Sequence, residues 1–155
     1  MNREIVTGKK VVGDGDKVIA NGSSVVHAHG DADVIADEHA TVYAYDSSTV
    51  SARAHSRVYA HDDSSIFATD DSVVFADGAC HVTAEGNAVV FATQRADVSA
   101  YDHSVVIVAS GRPSIRVMAG SAKVVILGGQ PRVRSDGRVD AIELVDEMVI
   151  TWRLL

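Results

Sequence analysis

Arg57-Val58-Tyr59-Ala60-His61-Asp62-Asp63-Ser64 is followed at once by Ser65-Ile66-Phe67-Ala68-Thr69-Asp70-Asp71-Ser72. Laid over each other, the two octads share a β-branched residue at the second position, alanine at the fourth and serine at the eighth. The register extends in both directions. Alanine recurs every eight residues from Ala20 to Ala100, and Val or Ile stands two residues before each one, from Val18 to Val98. Four residues after each alanine comes something small, from Ser24 through Cys80 to Ser104. Residues 17–104 are thus eleven octads of the form x-Val-x-Ala-x-x-x-small. A short fixed period of this kind marks a solenoid, in which each coil buries its interior against the next.

Side chains in a strand alternate between faces, so Val18 and Ala20 point inward while Lys17, Ile19 and Asn21 point outward. The two positions after the outward residue are rich in turn formers, as in Gly22-Ser23, Gly30-Asp31, Asp46-Ser47 and Asp70-Asp71. Gly, Asn and Asp supply the dihedrals of a corner, and Asp and Ser can bond neighbouring backbone N–H groups. Each octad therefore reads as one strand and one corner, with the eighth residue turned back inside.

The outward residues between valine and alanine fall into two classes when taken alternately. One set is His27, Tyr43, Tyr59, Phe75, Phe91 and Ile107; the other is Ile19, Ile35, Ser51, Phe67, Thr83 and Ser99. The preceding outward position separates Val25, Thr41, Arg57, Val73, Val89 and Val105 from Lys17, Asp33, Thr49, Ser65, His81 and Asp97. An apolar and a polar face separate at a period of sixteen, which predicts an all-β, single-stranded β-solenoid (β-helix) with two octads per coil. A three-octad coil mixes these classes more. An intertwined homotrimer, in which each chain gives one strand to each layer, does not require the alternation.

The expected organisation is an N-terminal cap over residues 1–16, the solenoid over 17–112 and a β-rich capping or oligomerisation segment over 113–155. Residues 1–16 lose the register, since Lys10 stands where valine is expected and Gly13-Asp14-Gly15-Asp16 reads as a turn. Pro113 breaks it at the other end. Strands are expected over 114–119, 123–127 and 132–134, with Ser135-Asp136-Gly137 as a hairpin turn. Residues 139–155 fit a helical stripe through Val145, Met148 and Trp152, but the β-rich run Val149-Ile150-Thr151-Trp152 tips the reading to strands.

The x-Val-x-Ala-x-Asp-x-Ser pattern, clearest over residues 57–64, resembles the octapeptide arrays of bacterial and bacteriophage β-solenoid and β-helix proteins. The resemblance covers residues 17–112 and implies a repeating β architecture, with a phage-associated assembly as its natural setting. Trimeric tail and spike proteins are similar in having octads but carry Val-x-Gly where this chain has alanine. Ice-binding solenoids are similar in coil length but carry regular threonine ladders, whereas Thr41 and Thr49 fall on opposite faces here.

The 155 residues carry 14 basic and 21 acidic side chains, a formal charge of −7, which argues against general attraction to nucleic acid or an anionic membrane. No apolar run is long enough for a transmembrane helix and no signal-peptide pattern opens the chain, so a cytoplasmic or virion-associated location is expected. One cysteine, Cys80, cannot form an intrachain disulfide and fits a small core position. His39 and His55 fall on one corner a coil apart, followed by Asp71, a weak candidate metal set; exposed corner residues explain them more simply. No catalytic motif stands out of the repeat, so neither enzyme activity nor a cofactor is expected.

The continuous strip is the strongest functional signal. Val25, Tyr43, Tyr59, Val73, Phe75, Val89, Phe91, Val105 and Ile107, with Trp152 from the C-terminal segment, are the candidate interface residues. A monomer rarely exposes such a strip. It is either covered by residues 113–155 or forms a contact with a second copy or a protein partner. The leading expectation is a non-enzymatic structural or assembly protein. The alternative is an acidic binding or inhibitor protein that mimics nucleic acid through Asp33, Asp37, Asp70, Glu85, Asp97 and Asp102.

Overall fold

The computed structural model describes residues 3–136 and 141–144. These residues form strands and corners, with no helix among them. One sheet contains β1 (Glu4–Val6), β3 (Lys17–Ala20), β5 (Asp33–Ala36), β7 (Thr49–Ala52), β9 (Ser65–Ala68), β11 (His81–Ala84), β13 (Asp97–Asp102), β15 (Ser114–Gly120) and β17 (Arg132–Ser135). The other contains β2 (Lys9–Val12), β4 (Val25–Ala28), β6 (Thr41–Ala44), β8 (Arg57–Ala60), β10 (Val73–Ala76), β12 (Val89–Ala92), β14 (Val105–Val108), β16 (Lys123–Ile126) and β18 (Ala141–Leu144). Every pairing is parallel and joins strands two apart in the chain, such as β8 with β10 and β9 with β11. The chain therefore winds as a two-sided β-solenoid, with odd strands on one face and even strands on the other.

Valine pairs with valine and alanine with alanine sixteen residues on, as in Val58↔Val74 and Ala60↔Ala76. Both sheets come from successive coils of one chain, so the intertwined trimer is not this fold. The inward residues are sealed: Val26, Ala28, Val50, Ala52, Val58 and Ala60 are all 0% exposed. The interior is narrow, which explains why alanine recurs where a globular core would place leucine.

The corners depend on one backbone conformation. The second residue after every alanine has a positive φ, whether it is Gly22, Gly30, Gly78 or Gly86, or one of Glu38, Asp46, Ala54, Asp62, Asp70, Gln94 and Asp102. Aspartate recurs there because it tolerates the left-handed region better than most side chains. Its carboxylate also accepts from the coil before it. Gly30 N–H donates to Asp46, Asp46 N–H to Asp62, Ala54 N–H to Asp70 and Gly86 N–H to Asp102, at 3.0–3.3 Å. Two residues on, Ser48, Ser56, Ser64 and Ser72 fill the inner corner, fully buried.

The ends differ from the sequence reading. The register is lost only in part: β2 keeps the sixteen-residue offset, with Lys10 opposite Val26, whereas β1 pairs with β3 at an offset of fourteen, with Glu4 opposite Val18, so the corner between β1 and β2 is two residues shorter. A second departure lies in chemistry. Two positions of this coil that pair with inward valines carry opposite charges, and Lys10 bonds Glu4 from one sheet to the other.

Beyond β14 the coil lengthens. Ser114 pairs with Asp97 and Lys123 with Val105, offsets of seventeen and eighteen residues. One extra residue sits in the corner around Gly111, Arg112 and Pro113, and another in a bulge that slips β15 against Ala100 and Tyr101. The stack nevertheless continues. Arg132–Ser135 and Ala141–Leu144 lie in opposite sheets, so the hairpin expected between them is absent; each pairs in parallel with the strand one coil earlier. Described residues 113–136 and 141–144 extend the solenoid and do not fold back over it. Ala141–Leu144 is a strand. Residues 145–155, including Trp152, lie outside the described residues.

Candidate interaction surface

Parallel in-register strands place equivalent residues one strand spacing apart, about 4.8 Å, which is close to the spacing of stacked rings. On the even sheet the third residue of each strand exploits this match. His27, Tyr43, Tyr59, Phe75 and Phe91 form one column, with centroids 4.8, 4.8, 4.8 and 5.0 Å apart and ring planes within 10° of parallel. Ile107 continues it on β14, opposite Phe91. Each ring covers its neighbour's face, so the column is half-buried and its outer edges meet solvent. Beside it, Val73, Val89 and Val105 stand in register at the first strand position, also half-buried. The register thus assembles Val25, Tyr43, Tyr59, Val73, Phe75, Val89, Phe91, Val105 and Ile107 on one continuous face.

A second, shorter column lies at the edge of the same face. His29, Tyr45 and His61 stack at 4.8 and 5.1 Å. The next residues at this place are Asp77 and Thr93, and no ring succeeds His61. The loss of side-chain width opens a depression of about 390 Å³, lined by Phe75, Ala76, Asp77, Phe91, Thr93, Gln94 and Ser110. Thr93 Oγ1 and Gln94 Nε2 both donate to Asp77 Oδ1, at 2.9 and 2.6 Å, and fix the carboxylate. Sequence reasoning missed this depression. Its signal was present in the change from ring to short polar side chain at the sixteen-residue step from His61 to Asp77.

The weak metal set forms a loose column. His39 and His55 lie 5.5 Å apart by centroid, tilted by 42°, and His55 Nδ1 is 3.9 Å from Asp71 Oδ2. Among the described residues, no three His, Cys, Asp or Glu side chains converge to hold a metal ion. Cys80 is sealed in the core, and burial, opposed by a backbone hydrogen bond and aided by the charge of Asp77, raises its thiol pKa from 9.0 to about 11. A thiol so placed stays protonated and is a poor nucleophile.

Most carboxylates considered for nucleic-acid mimicry are engaged by their own chain. Asp33 pairs with Arg3 at 2.6 Å and Asp97 lies 3.9 Å from Arg116. Asp37, Asp70 and Asp102 accept from the backbone N–H groups of Glu38, Ala54 and Gly86. No protein-family model, curated protein or solved structure matches this chain.

Proposed function

We propose that this protein is a non-enzymatic structural or assembly protein whose working surface is the apolar face of the even sheet, used as a subunit interface. The observation that carries the reading is the unbroken ring column, His27 to Phe91, beside the valine row on one sheet only. The odd sheet has Ile5, Ile19 and Ile35 and then Ser51, Thr83 and Ser99 at the matching positions, and its Phe67 stands alone as a ring. The described C-terminal strands lengthen the even face and leave its rings uncrossed. Nine strands at about 4.8 Å spacing make a face roughly 40 Å long. That is a scale at which a standard interface of ~800 Å² per partner fits. Acidic mimicry has less support, because four of its six carboxylates accept hydrogen bonds within the chain and Asp97 faces Arg116 at 3.9 Å.

The test is mass in solution at tens of micromolar. The wild type should be an oligomer, and the double variant Tyr59→Asp with Phe75→Asp should dissociate it. The matched pair on the other face, Ser51→Asp with Phe67→Asp, should leave the mass unchanged. A wild-type monomer whose mass neither pair alters would overturn the reading.

A further inference from the structure

Two opposite charges on the even face have no ion-pair partner among the described residues. Arg57 opens β8, exposed beside the ring column. Asp77 follows β10, half-buried at the far edge of the same sheet, its Oδ1 held by Thr93 and Gln94. Both Asp77 bonds fall on Oδ1, which leaves Oδ2 open to a cation. The depression at this carboxylate is walled by Phe75 and Phe91, apolar surface of the kind that the alkyl stem of an arginine covers.

The geometry points to self-association of the even face, with Arg57 of one copy seated in the depression beside Asp77 of a second copy, and the reverse contact made at the same time. This inference rests on the reading of that face as a subunit interface and names its occupant. A two-fold contact requires that residue i meets j while j meets i. Arg57 is in register with Val73, so Asp77 lies four residues farther along the strand and one coil over. That is about 13 Å along the strand and about 4.8 Å along the solenoid. A two-fold axis lying in the interface midway between them exchanges the two residues and passes over Tyr59 and Phe75. Those rings then sit at the dry centre and the charge pairs at the flanks. The same axis tilts by roughly 20° from the solenoid, so the strands of the two copies cross at roughly 40°, close to the ~30° of aligned sheet packing. The occupant is argued from charge and symmetry together: the face carries its own complement.

Charge exchange tests the pairing. Arg57→Asp and Asp77→Arg should each weaken self-association, measured by sedimentation, at least about tenfold, because each leaves like charges facing each other. The exchange variant carrying both should return to within about threefold of wild type. Both positions face outward, so melting temperatures should change little and will show that the fold is intact. If wild type associates and Tyr59→Asp with Phe75→Asp dissociates it, but the single reversals have no effect or the exchange does not rescue, the Arg57–Asp77 pairing is wrong and the interface reading stands. If wild type is a monomer at tens of micromolar, both fail.

Discussion

Ala54 shows how far a single residue can be bent to the repeat. It occupies the corner position with φ at 50°, where its neighbours one coil to either side are Glu38 and Asp70. A non-glycine residue in the left-handed region costs ~1–2 kcal/mol, and glycine's extra chain entropy costs roughly 0.5–1. Ala54→Gly should therefore stabilise the protein by about 0.5–1 kcal/mol, a rise of a few degrees in melting temperature. The opposite substitution at Gly78, the corner that follows β10, should fail. Gly78 has φ at 123°, and a Cβ there would lie 2.8 Å from the backbone nitrogen of Asp62. Gly78→Ala should lower the melting temperature, and equal melting temperatures for the two variants would refute the corner assignment. Cys80 gives a pH signature. Its folded pKa is raised from 9.0 to about 11, so the folded state holds the proton more tightly than the unfolded chain. The stability that this contributes is full below pH 9 and is lost as pH rises toward 11, with a slope of up to about 1.4 kcal/mol per pH unit. Denaturant melts of wild type and Cys80→Ser across pH 8–11 should diverge in that window.

At the scale of the strand, one four-residue unit does two jobs. Its second and fourth residues fill the interior, and its first and third set the character of a face. The inner pair leaves no spare volume, so Ala60→Leu should overpack the coil and cost about 1–3 kcal/mol. Ser51→Leu, at an outward position of β7, should change stability little. Equal losses in calorimetry would show that the inward assignment is wrong. The outer pair is free to vary, and it sets the chemistry of each face. The same backbone carries Arg57 and Tyr59 on β8 but Ser65 and Phe67 on β9. Ring stacking needs nothing beyond register: the sixteen-residue offset from β4 to β12 brings each ring of the even-face columns within 4.8–5.1 Å of the next.

For the whole molecule, the hazard of a solenoid is a coil left without a neighbour. A terminal coil presents unpaired strand edges and an exposed apolar interior, an invitation to end-to-end growth. In the coil of β1 and β2, Glu4 and Lys10 stand at positions that hold valine in the coil above and are bonded to each other, an arrangement suited to capping. Replacing both, Glu4→Val with Lys10→Val, should complete the apolar interior and expose it. Light scattering should then show concentration-dependent association of a kind that the even-face variant Tyr59→Asp with Phe75→Asp does not abolish. A double valine variant with wild-type scattering would remove the capping role.

The octad register alone determined most of this architecture: the strands, the inward valine and alanine, the corners and the two-faced coil of sixteen residues. It could do so because a solenoid's contacts lie at one constant sequence separation, so a periodic pattern states both what is buried and what pairs with it. The apolar strip was legible for the same reason. Reading failed where the period did. Lys10 looked like a loss of register, yet it keeps the sixteen-residue offset to Val26 and is a charged substitution; the period is lost one strand earlier, where Glu4 pairs with Val18. Pro113 looked like an end, yet the corner at Gly111 absorbed an added residue and the strands resumed. Tertiary structure alone decided that Ser114 to Ser135 lengthens the stack without covering the strip, that Asp77 is held by Thr93 and Gln94, and that a depression opens beyond His61. These features depend on how wide each side chain is against its neighbour one coil away, a quantity that a repeat motif, which records only residue class, does not carry.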